Sequence, residues 1–179
     1  PIDFQQTLVE AQECTRDTML MPFFNYLNSN HAEGPKKWYI KACPGEAVKV
    51  YLPAKASLQE KNIRISGNAE VYNEDNILTD VKVYFQASPN ITLFFMHLAL
   101  LDDVRSKVET SSNGVAVFEA GDHIGYAYAP SRGTYSLDFG VEDKKVDAGL
   151  TENAEHWWNI RANPLDYFIE EVRRTILHA

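Results

Sequence analysis

Between residues 38 and 141 the chain repeats one pattern: short runs rich in Val, Ile, Tyr, Phe and Thr, each closed by Asn, Asp, Gly, Ser or Pro. Residues of the first kind suit the half-buried surface of a pleated sheet, and those of the second turn or break it. The runs fall at 38–40, 47–52, 62–65, 69–72, 80–87, 91–98, 115–119, 124–129 and 134–141. Short strands at such spacing build a sandwich or barrel. Helical signals lie on either side. Apolar residues at Phe4, Leu8, Val9, Ala11, Met19 and Leu20 suit an amphipathic helix over 4–21 that Pro22 would disturb, and a loop rich in Asn, Ser, Gly and Pro follows it. Near the other end Pro164 stands in the first turn of a helix over 165–177, with Phe168, Val172 and Ile176 spaced by four. Asp102 and Asp103 are expected to cap or flank a turn after the 91–98 strand. The expected organisation is an N-terminal helical segment and loop, 1–40, packed on a β domain, 41–179, that carries the C-terminal helix.

Composition excludes several function classes. A chain of 179 residues is about one domain, large enough to bury roughly two-thirds of its unfolded surface. With 45% hydrophobic and 23% charged residues it reads as globular, and no apolar run approaches the ~20 residues of a transmembrane helix. The formal charge is −8 and no Lys/Arg block is present to track a phosphate backbone, so nucleic acid is not an expected partner. The chain opens at Pro1 with no basic or apolar leader, which suits a trimmed or mature secreted form. Cys14 and Cys43 are compatible with one disulfide in an oxidising compartment and equally with two buried thiols. An Asn-Ile-Thr sequon at Asn90 adds little, since such triplets occur by chance, and the expected location is extracellular or periplasmic.

No nucleophile elbow, reactive-cysteine setting or phosphate-binding glycine loop stands in the sequence. Four segments carry more information: ITLFFMHL (91–98), EAGDHIGYA (119–127), RGTYSLDFGVED (132–143) and ANPLDYF (162–168). Their order and spacing resemble those of the lysostaphin-type zinc endopeptidases. There a strand ends in Tyr-x-His-Leu, a Gly-Asp or Gly-Gln turn leads into Ile-Gly, a His-Leu-His-Phe-Glu-Val strand follows, and an Asn-Pro pair precedes an aromatic. ISGNAEVY, 65–72, extends the likeness back to that family's Gly-x-Val strand. The resemblance implies an antiparallel barrel-sandwich of the duplicated-hybrid-motif kind, flanked by the N- and C-terminal helices.

The same resemblance speaks to chemistry. In the family two His separated by one residue on a strand point to one face; the second is a zinc ligand, alongside an earlier His and an Asp. Here that triplet is Ser136-Leu137-Asp138, and no upstream His-x-x-x-Asp pair supplies the other ligands; His31 has Glu33 near it but no suitably spaced Asp. His97 matches the family's non-ligand His, which transfers protons at the reacting centre. The implied function is therefore a noncatalytic, peptidase-like binding or scaffolding module of the cell envelope or exterior, recognising a cell-wall component or a partner protein. No cofactor is expected. Its binding surface would draw on Tyr135, Ser136, Asp138 and Trp157. The alternative is a metal-dependent endopeptidase acting on peptidoglycan or glycine-rich peptides with altered ligands, with zinc as cofactor, His97 catalytic and Asp138 a candidate ligand.

Each of these residues also has a plain structural reading. His97 can be a hydrogen-bonded structural His. His123, in its Gly-Asp-His turn, and His178 read as exposed. Asp138 alternates with Leu137 and Phe139 and so projects away from them, toward solvent. Trp157 and Trp158 suit packing as well as ligand contact.

Overall fold

The computed structural model describes residues 2–5, 8, 20–21, 38–40, 47–73, 76–128, 137–146, 161–162 and 164–178. Among them the chain forms β1 (Leu20–Met21), β2 (Trp38–Ile40), β3 (Ala47–Tyr51), β4 (Ala56–Asn73), β5 (Asn76–Gln86), β6 (Ile91–Leu100), α1 (Asp102–Glu109), β7 (Val115–Phe118), β8 (His123–Tyr128), β9 (Leu137–Asp143), β10 (Arg161–Ala162), and α2 (Glu170–His178). The fold is mainly β, as expected, and the strands join in one curled antiparallel half-barrel in the order β1-β2-β9-β6-β5-β4-β7. β10 adds to β9, and β8 links β3 to β6. No described helix is long and apolar enough to cross a membrane.

Alternation decides which face is apolar. Val81, Val83 and Phe85 of β5 point into the core, with Ile91, Leu93 and Phe95 of β6 and Leu137, Phe139 and Val141 of β9. On β6 the alternation then skips a step: Leu98 and Leu100 continue the core face, although they are out of phase with Phe95. The pairing explains this, because Val83 faces Phe95 and Val81 faces Leu98, leaving two β6 residues, Met96 and His97, opposite the single Lys82. That is a β-bulge, and it returns the apolar residues to the core side. β6 also changes partner here. Its far edge pairs with β9 as far as Met96 and with β8 from Ala99 onward.

Two expectations are corrected, and a third lies largely outside the described residues. The runs at 62–65 and 69–72 are one strand with the segment from Ala56, because β4 keeps β5 as its ladder partner across a register shift between Ile65 and Glu70. Asp102 and Asp103 do not flank a simple turn but open α1, where carboxylates oppose the positive end of the helix; Val104 and Val108, one turn apart, are its buried face. The helix over 4–21 does not hold at its ends: Phe4 makes a parallel bridge with Phe168, and Leu20–Met21 pair with Tyr39 and Ile40. Residues 9–19, between them, lie outside the described residues.

The C-terminal helix is present but starts later than expected. Pro164–Tyr167 form a 3-10 turn, and α2 begins at Glu170. The interruption has a cause: the Phe4 N–H donates to the Tyr167 carbonyl (2.6 Å) and the Ile169 N–H to the Phe4 carbonyl (3.1 Å), so this backbone is engaged with another chain segment. Phe4 is fully buried, with Phe168 edge-on at 4.9 Å, Tyr167 stacked at 5.5 Å and Phe139 at 6.3 Å between ring centroids.

Tyr167 completes this clasp by donating its hydroxyl to Asp143 Oδ2 at 2.8 Å, while Asp143 Oδ1 accepts the Lys145 N–H at 2.9 Å. Partial burial, first, and then the Asp143 carboxylate hold the phenol's ionisation well above its usual range. In the unfolded chain this tyrosine loses its proton near pH 10, while the folded chain keeps it. The stabilisation is therefore fully present below about pH 10 and is lost as pH rises above that value. Urea unfolding of wild type and Tyr167→Phe between pH 8 and roughly 10.5 should show a steeper decline for wild type; parallel curves would contradict the assignment.

Candidate functional site

Among the described residues His97 alone, apart from glycines, has a positive φ, +62°. A side chain in this left-handed region costs on the order of 1 kcal/mol, and such strain gathers at functional positions. The bulge supplies the reason for the conformation: His97 sits where β9 leaves β6 and β8 has not yet joined it.

A carboxylate holds the ring. Asp80, in β5 opposite Ala99, accepts from His97 Nδ1 through Oδ2 at 3.0 Å. The Asp80 side chain is 4% exposed and that of His97 44%, so a buried anion orients an imidazole that solvent reaches. With Nδ1 committed, chemistry at this ring runs through Nε2. Asp80 Oδ1 is buried and has no hydrogen-bond partner among the described residues. A carboxylate oxygen in that position costs free energy unless something approaches it.

Asp138 corrects an expectation. It lies on the face of β9 away from Leu137 and Phe139, as its alternation requires, yet it is only 3% exposed. Its cross-strand neighbour is Met96, beside the bulge. Phe94 and Ala99, which share that face, are also fully buried. The two expected members of the site are thus brought to adjacent strands, His97 open and Asp138 closed. Tyr135, Ser136 and Trp157 lie outside the described residues, as do Cys14, Cys43 and His31.

His123 is not the exposed turn residue expected. It opens β8, half-buried between the rings of Tyr51 (5.6 Å) and Tyr126 (4.8 Å), and its Nε2 donates to the Gly125 carbonyl at 2.9 Å. Burial pushes its ionisation below the usual histidine range, Lys49 adds to this, and the bond to Gly125 opposes both. These contacts are those of a packing residue.

Among the described residues no three His, Cys, Asp or Glu side chains gather to hold a metal ion. Asp138 is buried, which does not suit a ligand to an open catalytic zinc that must also admit a water.

Sequence reasoning missed Asp80. One signal was available: Asp suits strands poorly, and this one stands on the same face of its strand as Lys82 and Tyr84. Its partner, 17 residues away, emerges only when β5 and β6 pair. No family model matches the chain, and no curated protein matches it.

Proposed function

We propose that this chain is a noncatalytic, peptidase-like binding or scaffolding domain, exposed outside the cytoplasm, with a barrel-sandwich core of the lysostaphin-type family. The ordered segments ITLFFMHL, EAGDHIGYA, RGTYSLDFGVED and ANPLDYF support the kinship, and the curled antiparallel half-barrel is compatible with it. A cell-wall component or a protein is the partner.

One observation carries the noncatalytic reading. Asp138 stands where the family places a zinc-binding imidazole, and its side chain is buried. A catalytic zinc must admit both a water and a substrate, which a carboxylate enclosed by β-sheet packing does not offer. The exposed group of the site is instead His97, fixed by Asp80 and available for contact. Zinc loading followed by elemental analysis tests this. Wild type should retain well under one zinc per chain, whereas a variant with both Ser136→His and Asp138→His, which restores the family's imidazoles, should retain more. A wild-type ratio near one would overturn the reading.

A second reading is favoured by the His97–Asp80 pair itself, since a carboxylate at one ring nitrogen is how a general base is oriented. A metal-dependent endopeptidase with altered ligands would cleave peptidoglycan or glycine-rich peptides and lose that cleavage in His97→Ala. Under the leading reading wild type cleaves neither.

A further inference from the structure

β7 closes one end of the sheet: β4 is its neighbour, and among the described residues no strand pairs with its other edge. The Glu60 N–H donates to the Gly114 carbonyl at 3.3 Å, which fixes the alternation of the β4–β7 ladder. Ala116 and Phe118 therefore turn their peptide groups toward β4, and Val115 and Val117 turn theirs outward. Side chains alternate between the two faces: Ala116 and Phe118 lie in the core, while Val117, on the opposite face, is 49% exposed.

Two charged side chains already engage this edge. Asp122 Oδ2 accepts the Glu119 N–H at 2.9 Å. Lys107, reaching from α1, donates to the outward Val117 carbonyl at 2.8 Å, and its ammonium lies 4.3 Å from the centre of the Phe118 ring. Between these contacts runs Val-Ala-Val-Phe, a stretch without charge and with strong strand preference. A free edge of that kind is a template for another strand, and lysine is a common means of blunting it. The Lys107 bond is exposed to water, so it is readily exchanged.

We propose that the outer edge of β7 is an interface for a second copy of this chain, paired antiparallel about a two-fold axis at Ala116, and that Lys107 closes it reversibly. The alternation selects the register. With Ala116 on the axis, Val117 stands opposite Val115 of the partner subunit and Val115 opposite Val117 of the partner subunit, so the outward peptide groups meet as hydrogen-bonded pairs. The same register sets valine beside valine on the exposed face, covers Val117 and opposes no like charges. A second copy fits because β7 itself supplies the matching strand, uncharged and with outward groups at the same alternate positions. An interface of one short strand is small, so the dimer is weak and exchanges with monomer. Lys107 must leave the Val117 carbonyl on both sides before the strands close, and a two-fold interface doubles that effect. Neither His97 nor Asp138 takes part, so the outcome is separate from zinc retention.

Sedimentation equilibrium of the whole chain tests this. Wild type should associate weakly, with a Kd of roughly 1 mM, and more tightly at higher salt, which screens the repulsion between two chains of net charge −8. Lys107→Ala should tighten the dimer roughly tenfold, about threefold for each exposed bond that no longer competes. In that dimer, hydrogen exchange at the Val115 and Val117 amides should slow, because these are the outward donors. Val117→Lys, at an exposed position, should leave the melting temperature nearly unchanged and abolish association, alone and combined with Lys107→Ala. Lys107→Ala that stays monomeric, a dimer that survives Val117→Lys, or unchanged exchange at Val115 and Val117 would each overturn the edge. So would growth beyond the dimer, since a two-fold pair leaves no β7 edge open. Equal affinity in wild type and Lys107→Ala would overturn the part assigned to Lys107.

Discussion

Phe4→Ala should cost about 3–5 kcal/mol, the range for removing a fully buried aromatic side chain. Three aromatic neighbours would lose their central ring, and the cavity would open where segments distant in sequence meet. The site has little means to collapse, because backbone bonds to Tyr167, Pro53 and Ile169 hold residues 4 and 5 in place. For a chain of this size the loss corresponds to a melting temperature lower by roughly 10 °C. Urea unfolding measures it, and Phe4→Leu, which keeps much of the volume, should recover part of the stability. A loss below about 1 kcal/mol for Phe4→Ala would mean that the clasp contributes little.

Gly125→Ala should be nearly as damaging for the opposite reason. Gly125 is the β8 residue that faces Leu100 on one side and Val50 on the other. A Cβ placed there would lie 2.3 Å from the Ala99 carbonyl oxygen and 2.9 Å from a Leu98 methyl. The methyl can swing aside, but the carbonyl is backbone within β6. Overpacking typically costs 1–3 kcal/mol, and a clash with main chain falls at or above the top of that range, so about 3 kcal/mol is expected. The damage should be local. Hydrogen exchange should rise at Ala99, Leu100 and the β8 amides, while the β5–β6 ladder keeps its protection. Uniform loss across the sheet, or none, would contradict a role for Gly125 in joining β8 to β6.

The strands were legible where alternation and turn residues coincide. β3, β5, β6, β7 and β8 fall within a few residues of their expected bounds. Gly67 and Asn68 read as a break in what is a continuous β4, since sequence alone cannot tell a turn from an irregularity that a ladder partner spans. α1 escaped notice because eight residues give too short a period and its two leading aspartates match a turn equally well. His97 was found as a residue but not as a bulge. A bulge is a two-against-one count between strands, and no property of ITLFFMHL records which residues β5 will set against it. The same holds for Asp80, whose role arises from register. Burial of Asp138 was hidden for a related reason: alternation tells which side a residue faces, not whether that side is covered.

The bridge between Phe4 and Phe168 also sets an order of events. As the chain leaves the ribosome, β4, β5 and β6 can pair as a meander, each strand closing on its sequence neighbour. Phe4 must wait until residue 168 has been made, and β2 until β9, so the earliest residues acquire their partners among the last. Contacts of such high order make folding slow. Through that interval the apolar residue at position 4 and the edge of β2 that β9 will cover stand open to other chains, which places the nascent domain's hazard of association in its N-terminal segments.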